Sequence, residues 1–153
     1  MRCTAQAAFD FALDTAQFPA TFTGYGPIPS IRSIVVEGPL MPGAVRRVSN
    51  SDGSVLTERV ETVARPERHS YTLEGFRVPF SWLVRQGTAD WTFEETGVIT
   101  RVRWTYAFRL TSPLVMPLAM VLLRLFMTRA MQRCLENMAG VLDDGSGAMR
   151  GHA

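Results

Sequence analysis

Arg46 and Glu58 are the side chains whose types and spacing could do chemistry together. They flank Ser51-Asp52-Gly53, a three-residue turn whose last position suits the left-handed region. Closing that turn with Asn50 opposite Ser54 sets Val48 against Leu56, Arg46 against Glu58 and Ala44 against Val60. The other face carries Val45, Arg47, Thr57, Arg59 and Glu61, so the first and more apolar face turns toward the core. Cross-strand neighbours on one face have Cβ atoms ~5 Å apart, close enough for an ion pair. Such a pair is either a structural bridge at the sheet's rim, partly wet and contributing little, or a polar anchor in an apolar cavity. Buried charges need partners, and ligand pockets are apolar walls with a few polar groups. As chemistry, Glu58 could act as base, Arg46 could polarise a carbonyl, and Tyr71 or Tyr106 could give up a proton.

Other constellations are weak. His69 has no paired Cys, Ser or acid at a recognisable spacing, and the second histidine, His152, lies in the C-terminal tail. Neither a triad nor a metal site is expected, and without a Gly-rich nucleotide loop no cofactor is expected either. Cys3 and Cys134 stand at opposite ends of the chain and read as two reduced thiols. All 16 basic residues are Arg, which excludes a Schiff-base or P-loop lysine. The net charge is +2 and the arginines are scattered, so nucleic acid is not an expected partner. The N-terminal stretch lacks an apolar run of signal-peptide length, and a cytoplasmic protein is expected.

The elements that must position these groups follow from periodicity. A hydrophobic content of 46% over 153 residues suits one domain with a sizeable core. Thr4–Asp14 has helical spacing with Thr4 as N-cap, and Phe18–Phe22 suits one further short turn. After the Gly/Pro loop at 24–30 the period becomes two. Candidate strands are Ile31–Glu37, Ala44–Asn50, Ser54–Val63, His69–Gly75, Phe80–Gln86, Ala89–Glu94 and Val98–Leu110. The short turns between them leave no room for helical crossovers, so the sheet is an antiparallel meander of six to seven strands. In the last strand Val102, Trp104, Tyr106, Phe108 and Leu110 alternate with Arg101, Arg103, Thr105, Ala107 and Arg109, giving one large aromatic face and one wet face.

The cover for that face is Ser112–Met138, which holds five of the eight methionines. Its longest charge-free apolar run, Leu114–Leu123, makes only ~15 Å of helix, so no membrane span is expected. Met116, Ala119, Met120, Leu123, Phe126, Met127, Ala130, Cys134 and Met138 form one stripe. The first turns are apolar all round and are expected to be buried furthest. The helix is expected to end at Gly140 or soon after, leaving 143–153 as a flexible tail after a single domain over 1–142.

The order of these elements resembles the START-like (SRPBCC) superfamily, and in particular the polyketide cyclase/dehydrase and lipid-transport family. The resemblance rests on "PGAVRRV", "DGSVLTERVETV", "HSYTLEG", the Trp-rich hairpin "ADWTFEETGVITRVRWTYAF" and the C-terminal helix, from about Ala5 to Val141. It implies an α+β helix-grip fold around a cavity for a hydrophobic small molecule. In similar plant hormone receptors the glutamate of a "TER" strand lines the pocket, which here is Glu58. One departure is that such proteins begin with a full strand, where only Met1–Thr4 precede the first helix. Either that edge strand is a stub or the natural start lies upstream, and the first alternative leaves a sheet edge for a possible homodimer.

The expected cavity wall comprises Arg46, Val48, Leu56, Glu58 and Tyr71 from the early strands. To these the later hairpin adds Trp82, Trp91, Trp104, Tyr106 and Phe108, and the helix adds Met116, Met120, Leu123 and Met127. Three functions fit: a binder or carrier of a lipid, aromatic or polyketide-like ligand; a cyclase that works mainly by orienting its substrate; or an interaction protein with a vestigial cavity.

Overall fold

The computed structural model describes residues 1–150, with side chains through Asp144. Helix α1 (Ala5–Leu13) starts where the Thr4 side chain accepts from the Ala7 amide, and it buries Ala5, Ala8, Phe9, Ala12 and Leu13 along one side. Asp14 then accepts from the Ala16 and Gln17 amides, which turns the chain into α2 (Phe18–Thr21). Six strands follow: β1 (Ile31–Val36), β2 (Val45–Asn50), β3 (Val55–Ala64), β4 (Arg68–Glu74), β5 (Val84–Thr96) and β6 (Ile99–Leu110). They form one antiparallel meander in sequence order, with β1 and β6 at its edges. The helix-grip architecture is therefore present, with the short N-terminal helices and a long C-terminal helix on one face of the curved sheet.

The β2–β3 hairpin has the register that its turn dictates. Gly53 takes φ 81°, Asn50 donates to the Ser54 carbonyl at 2.9 Å, and Arg46 stands opposite Glu58 and Val48 opposite Leu56. On β6 the expected alternation also holds, with Trp104 buried and Arg101, Arg103 and Arg109 exposed.

One expected strand is absent. Phe80–Gln86 is not a strand and "QGT" is not a turn. Instead Phe80–Trp82 forms a 3-10 turn, closed by Leu83 donating to the Phe80 carbonyl, and β5 runs unbroken from Val84. Leu83 and Val84 are buried side by side, which breaks the alternation a strand would need. Gly87 is a packing glycine, because a Cβ there would meet the Phe108 ring at 3.2 Å.

The covering helix is a composite of α3 (Met116–Leu122), a π-helical turn at Leu123–Met127 and α4 (Thr128–Arg150), entered through a 3-10 turn at Pro113–Val115. Two expectations need correction. The first turns are not the deepest part: Leu114, Met116, Leu118, Met120 and Val121 are exposed, and in α3 only Ala119 is buried. The stripe is gripped from Ala130 onward, where Ala130, Cys134 and Met138 are fully buried against the sheet and N-terminal helices. Nor does the helix stop at Gly140, which lacks the left-handed backbone of a C-cap; it continues to Arg150. Of the expected flexible tail, residues 151–153 lie outside the described residues. By length and composition Pro113–Asp144 would also suffice to cross a bilayer, but its second half is the core helix of the domain.

At the N-terminus the Met1 ammonium donates to the Thr100 carbonyl at 3.1 Å and Thr100 N–H returns a bond to the Met1 carbonyl at 2.9 Å. Met1 is thereby tied to the start of β6.

Candidate functional site

The aromatic face of β6 is the common wall of two cavities. One, of about 140 Å³, lies between the sheet, α2 and the 24–30 loop, and is lined by Phe18, Phe22, Ile28, Val48, Leu56, Glu58, Tyr71 and Leu73. The other, of about 720 Å³, lies between β6 and the C-terminal helix and is lined by Leu110, Met116, Met120, Leu123 and Met131. Trp104, Tyr106, Phe108 and Met127 border both. The larger volume falls within the usual range for a small-molecule site. Its outer wall is the helix segment that the sheet leaves half exposed.

The wall is rigid on the sheet side. Trp104 stacks on Trp91 with ring centroids 4.2 Å apart, and Tyr106 stacks on Phe108 at 5.4 Å. Phe18 and Phe22 of the α2 region meet Trp104 edge-on at 6.3 and 6.0 Å. Methionines on the helix side have three rotatable bonds each and can refit around different shapes.

A polar network lies at the sheet side of the smaller cavity. Arg46 Nε donates to Glu58 Oε2 at 2.7 Å, and its Nη2 reaches the same oxygen. Arg46 and Glu58 are only 4% and 5% exposed, so this is no wet pair at a rim. The guanidinium also lies 5.3 Å from the centre of the Tyr71 ring, and the Tyr71 and Tyr106 hydroxyls share a hydrogen bond of 2.9 Å. Burial pushes the Glu58 carboxyl above the ordinary carboxylate range, and Arg46 offsets only part of this. For Arg46 burial acts against the charge, but Glu58 and then Tyr71 outweigh it, and the guanidinium stays firmly protonated. Burial, then the Glu58 charge, raises the Tyr71 hydroxyl; burial and Tyr71 raise Tyr106 well above an ordinary phenol. Both phenols are held neutral. The indole Nε1 of Trp104 is buried without any hydrogen-bond partner.

The expected wall residues are thus partly reunited. Val48, Leu56, Glu58 and Tyr71 line the smaller cavity; Met116, Met120 and Leu123 line the larger; Trp104, Tyr106, Phe108 and Met127 line both. Arg46 sits behind Glu58 rather than on the surface of either cavity. Trp82 and Trp91 are corrections. Trp82 belongs to the 3-10 turn and is 66% exposed, outside both cavities. Trp91 is covered by the Trp104 ring and buried beneath it.

Residues missed from the sequence are Phe18, Phe22, Ile28, Leu73, Phe76 and Phe80. Phe18 and Phe22 carried a signal, since aromatics four apart on a short helix share a face. His69 is buried, with Nδ1 2.9 Å from the Thr62 carbonyl, and does not line either cavity. Cys134 is a free, buried thiol pushed up to about 11 by that burial. Among the described residues no cluster of three His, Cys, Asp or Glu side chains could hold a metal.

Residues 1–143 match the model of the family described as polyketide cyclase / dehydrase and lipid transport. No curated protein matches the sequence. Several solved structures share the fold. Ara h 8.0201 superposes with a TM-score of 0.66 at 15% identity, over 94% of this chain and 92% of its own. Protein Ms6760 from Mycobacterium smegmatis gives 0.62 at 15% identity, over 95% and 87%. The di-domain ARO/CYC BexL from the BE-7585A biosynthetic pathway gives 0.64 at 17% identity, over 93% of this chain and 47% of its own. At such identities the likeness is one of fold.

Proposed function

The chain belongs to the polyketide cyclase/dehydrase and lipid-transport family, and from that premise we propose that it binds and carries an extended, mainly apolar ligand with at least one oxygen acceptor. The observation that carries this reading is the unpartnered indole N–H of Trp104, in a wall that both cavities share. A buried donor without a partner is a cost to the folded state that an acceptor on a ligand removes. Around it the walls are mainly aromatic, aliphatic and thioether. Their polar groups are Glu58, the Tyr71–Tyr106 pair, Asn50, Asp52, Ser54 and Arg77 in the smaller cavity and Thr105, Arg124, Thr128 and Gln132 in the larger. A rigid aromatic wall opposite a methionine wall suits planar or acyl ligands alike.

Turnover by the same groups is less well supported. Glu58 Oε2 is already engaged by Arg46, and two phenols raised above their ordinary range are poor acids near neutral pH. The network is arranged to hold a polar end rather than to move protons.

The test is displacement of anilinonaphthalene sulfonate from the purified protein by a fatty acid, a fused-ring aromatic ketone and a plain hydrocarbon of similar size. Trp104→Phe is expected to weaken the acid and the ketone about fivefold, the worth of one hydrogen bond, and to leave the hydrocarbon unchanged. No displacement by any of the three, or an equal loss for all three, would sink the proposal.

A further inference from the structure

The end of the molecule where Phe80–Trp82 meets the start of the C-terminal helix carries side chains that the ligand site does not account for. Leu114 is 90% exposed, Trp82 66%, and Leu118, Val121 and Leu125 each about half. They belong to one continuous region, because Ala119 packs with Leu83 and Val84, and Thr111 N–H donates to the Leu83 carbonyl at 3.0 Å. A soluble surface seldom leaves so many large apolar groups together without an occupant.

The charge along the helix part of this region is positive. The sequence has no Asp or Glu between Glu74 and Asp90, and none between Glu95 and Glu136. The exposed end draws Arg85, Arg109 and Arg124 from these stretches, Arg109 on the wet face of β6 opposite Gln86, and the acid nearest to them, Glu74, accepts from the Gln86 side-chain amide at 3.0 Å. All three are exposed and none makes an ion pair with a described residue. The acidic residues of the covering helix, Glu136, Asp143 and Asp144, all lie toward its far end.

We propose that this end docks on an anionic lipid surface, with Trp82 and the exposed leucines in the headgroup region and the arginines against the phosphates. An apolar face, an interfacial tryptophan and flanking cations are what such a surface selects. The segment lies on the bilayer rather than through it. From Pro113 to Arg124 the helix extends about 18 Å, short of the ~30 Å hydrocarbon core, and α4 beyond it is fixed in the domain. A second copy of the chain is a poorer occupant, because a two-fold contact brings like patches together and would set the same arginines against each other.

Docking also explains where the cavities open. Val78 borders the smaller one, and Met116 and Met120 border the larger, and all three are exposed on this end. A ligand could pass between bilayer and cavity without crossing water; this clause alone rests on the ligand-binding reading.

The experiment is co-sedimentation of the full chain with phosphatidylcholine vesicles, with and without phosphatidylglycerol, read alongside tryptophan emission and anilinonaphthalene sulfonate binding. Binding is expected only with phosphatidylglycerol, with a blue shift that Trp82→Phe removes. Arg85→Gln and Arg109→Gln are each expected to weaken it about fivefold, and Leu118→Glu to abolish it, while dye binding stays unchanged because none of these side chains lines a cavity. No sedimentation at low salt overturns the proposal, as does sedimentation that Leu118→Glu leaves intact. A concentration-dependent dimer that Leu118→Glu dissolves, without vesicle binding, would assign the face to self-association instead. Loss of dye binding in the wild type with vesicle binding retained would remove the ligand reading and leave the docking surface standing.

Discussion

Arg46 and Glu58 are two charges withdrawn from water inside an apolar domain, at a penalty of several kcal/mol per ion that their mutual attraction must offset. Removing one partner strands the other, so Arg46→Leu and Glu58→Leu are each expected to destabilise by about 3–5 kcal/mol. The double variant is expected near wild-type stability, since two leucines fill similar volume without a charge to satisfy. Urea unfolding of the four proteins measures this, and a double variant that loses the sum of both single effects would show that the pair does not act as a unit. If ligand affinity falls in all three variants, the pair also anchors the ligand.

At the scale of elements, the loop that enters β1 is fixed by backbone collision rather than by side-chain packing. Gly24 has φ 73°, and a Cβ there would stand 2.3 Å from the Ile28 carbonyl oxygen. At Gly97, φ 64°, a Cβ would meet open space. Gly97→Ala is therefore expected to cost about 1–2 kcal/mol for the left-handed backbone alone. Gly24→Ala should lower the melting temperature clearly more, and equal shifts would refute the collision. The same contrast explains what could be read from the sequence. The β2–β3 register was legible because "SDG" fixes the pairing and alternation chooses the face, which is why Arg46 and Glu58 were found together. The β6 face was legible for the same reason. Gly87 misled, because a glycine that makes room for Phe108 looks the same in sequence as one that makes a turn. The first turns of the covering helix misled as well: composition shows that a segment is apolar but not what it is apolar toward. Phe76, Phe80 and Ile28 reach the cavity through loop paths that have no period.

For the whole molecule, His69 ties global stability to pH. It lies mid-sheet, opposite Val63 on one side and Trp91 on the other, and it is buried. Burial, and then the Arg46 charge, lower it from 6.5 to about 4. A group lowered on folding stabilises above its unfolded value, and that stability is lost as pH falls from 6.5 toward 4. The change amounts to about 3 kcal/mol across that window. His69→Gln, which stays neutral, is expected to flatten the fall, and an unchanged slope of unfolding free energy against pH would rule His69 out as its source. The His69 contribution is therefore fully present only above its unfolded value of 6.5.

The stacked indoles of Trp91 and Trp104 have an optical consequence. At 4.2 Å and an interplanar angle of 22°, their electronic transitions couple, and a coupled pair gives a paired positive and negative band in circular dichroism that isolated indoles lack. One ring of that pair faces both cavities, whereas Trp82 stands in solvent. The three tryptophans thus form two separate spectroscopic channels: the dichroic couplet follows what enters the cavities, and emission from Trp82 follows what touches the outside.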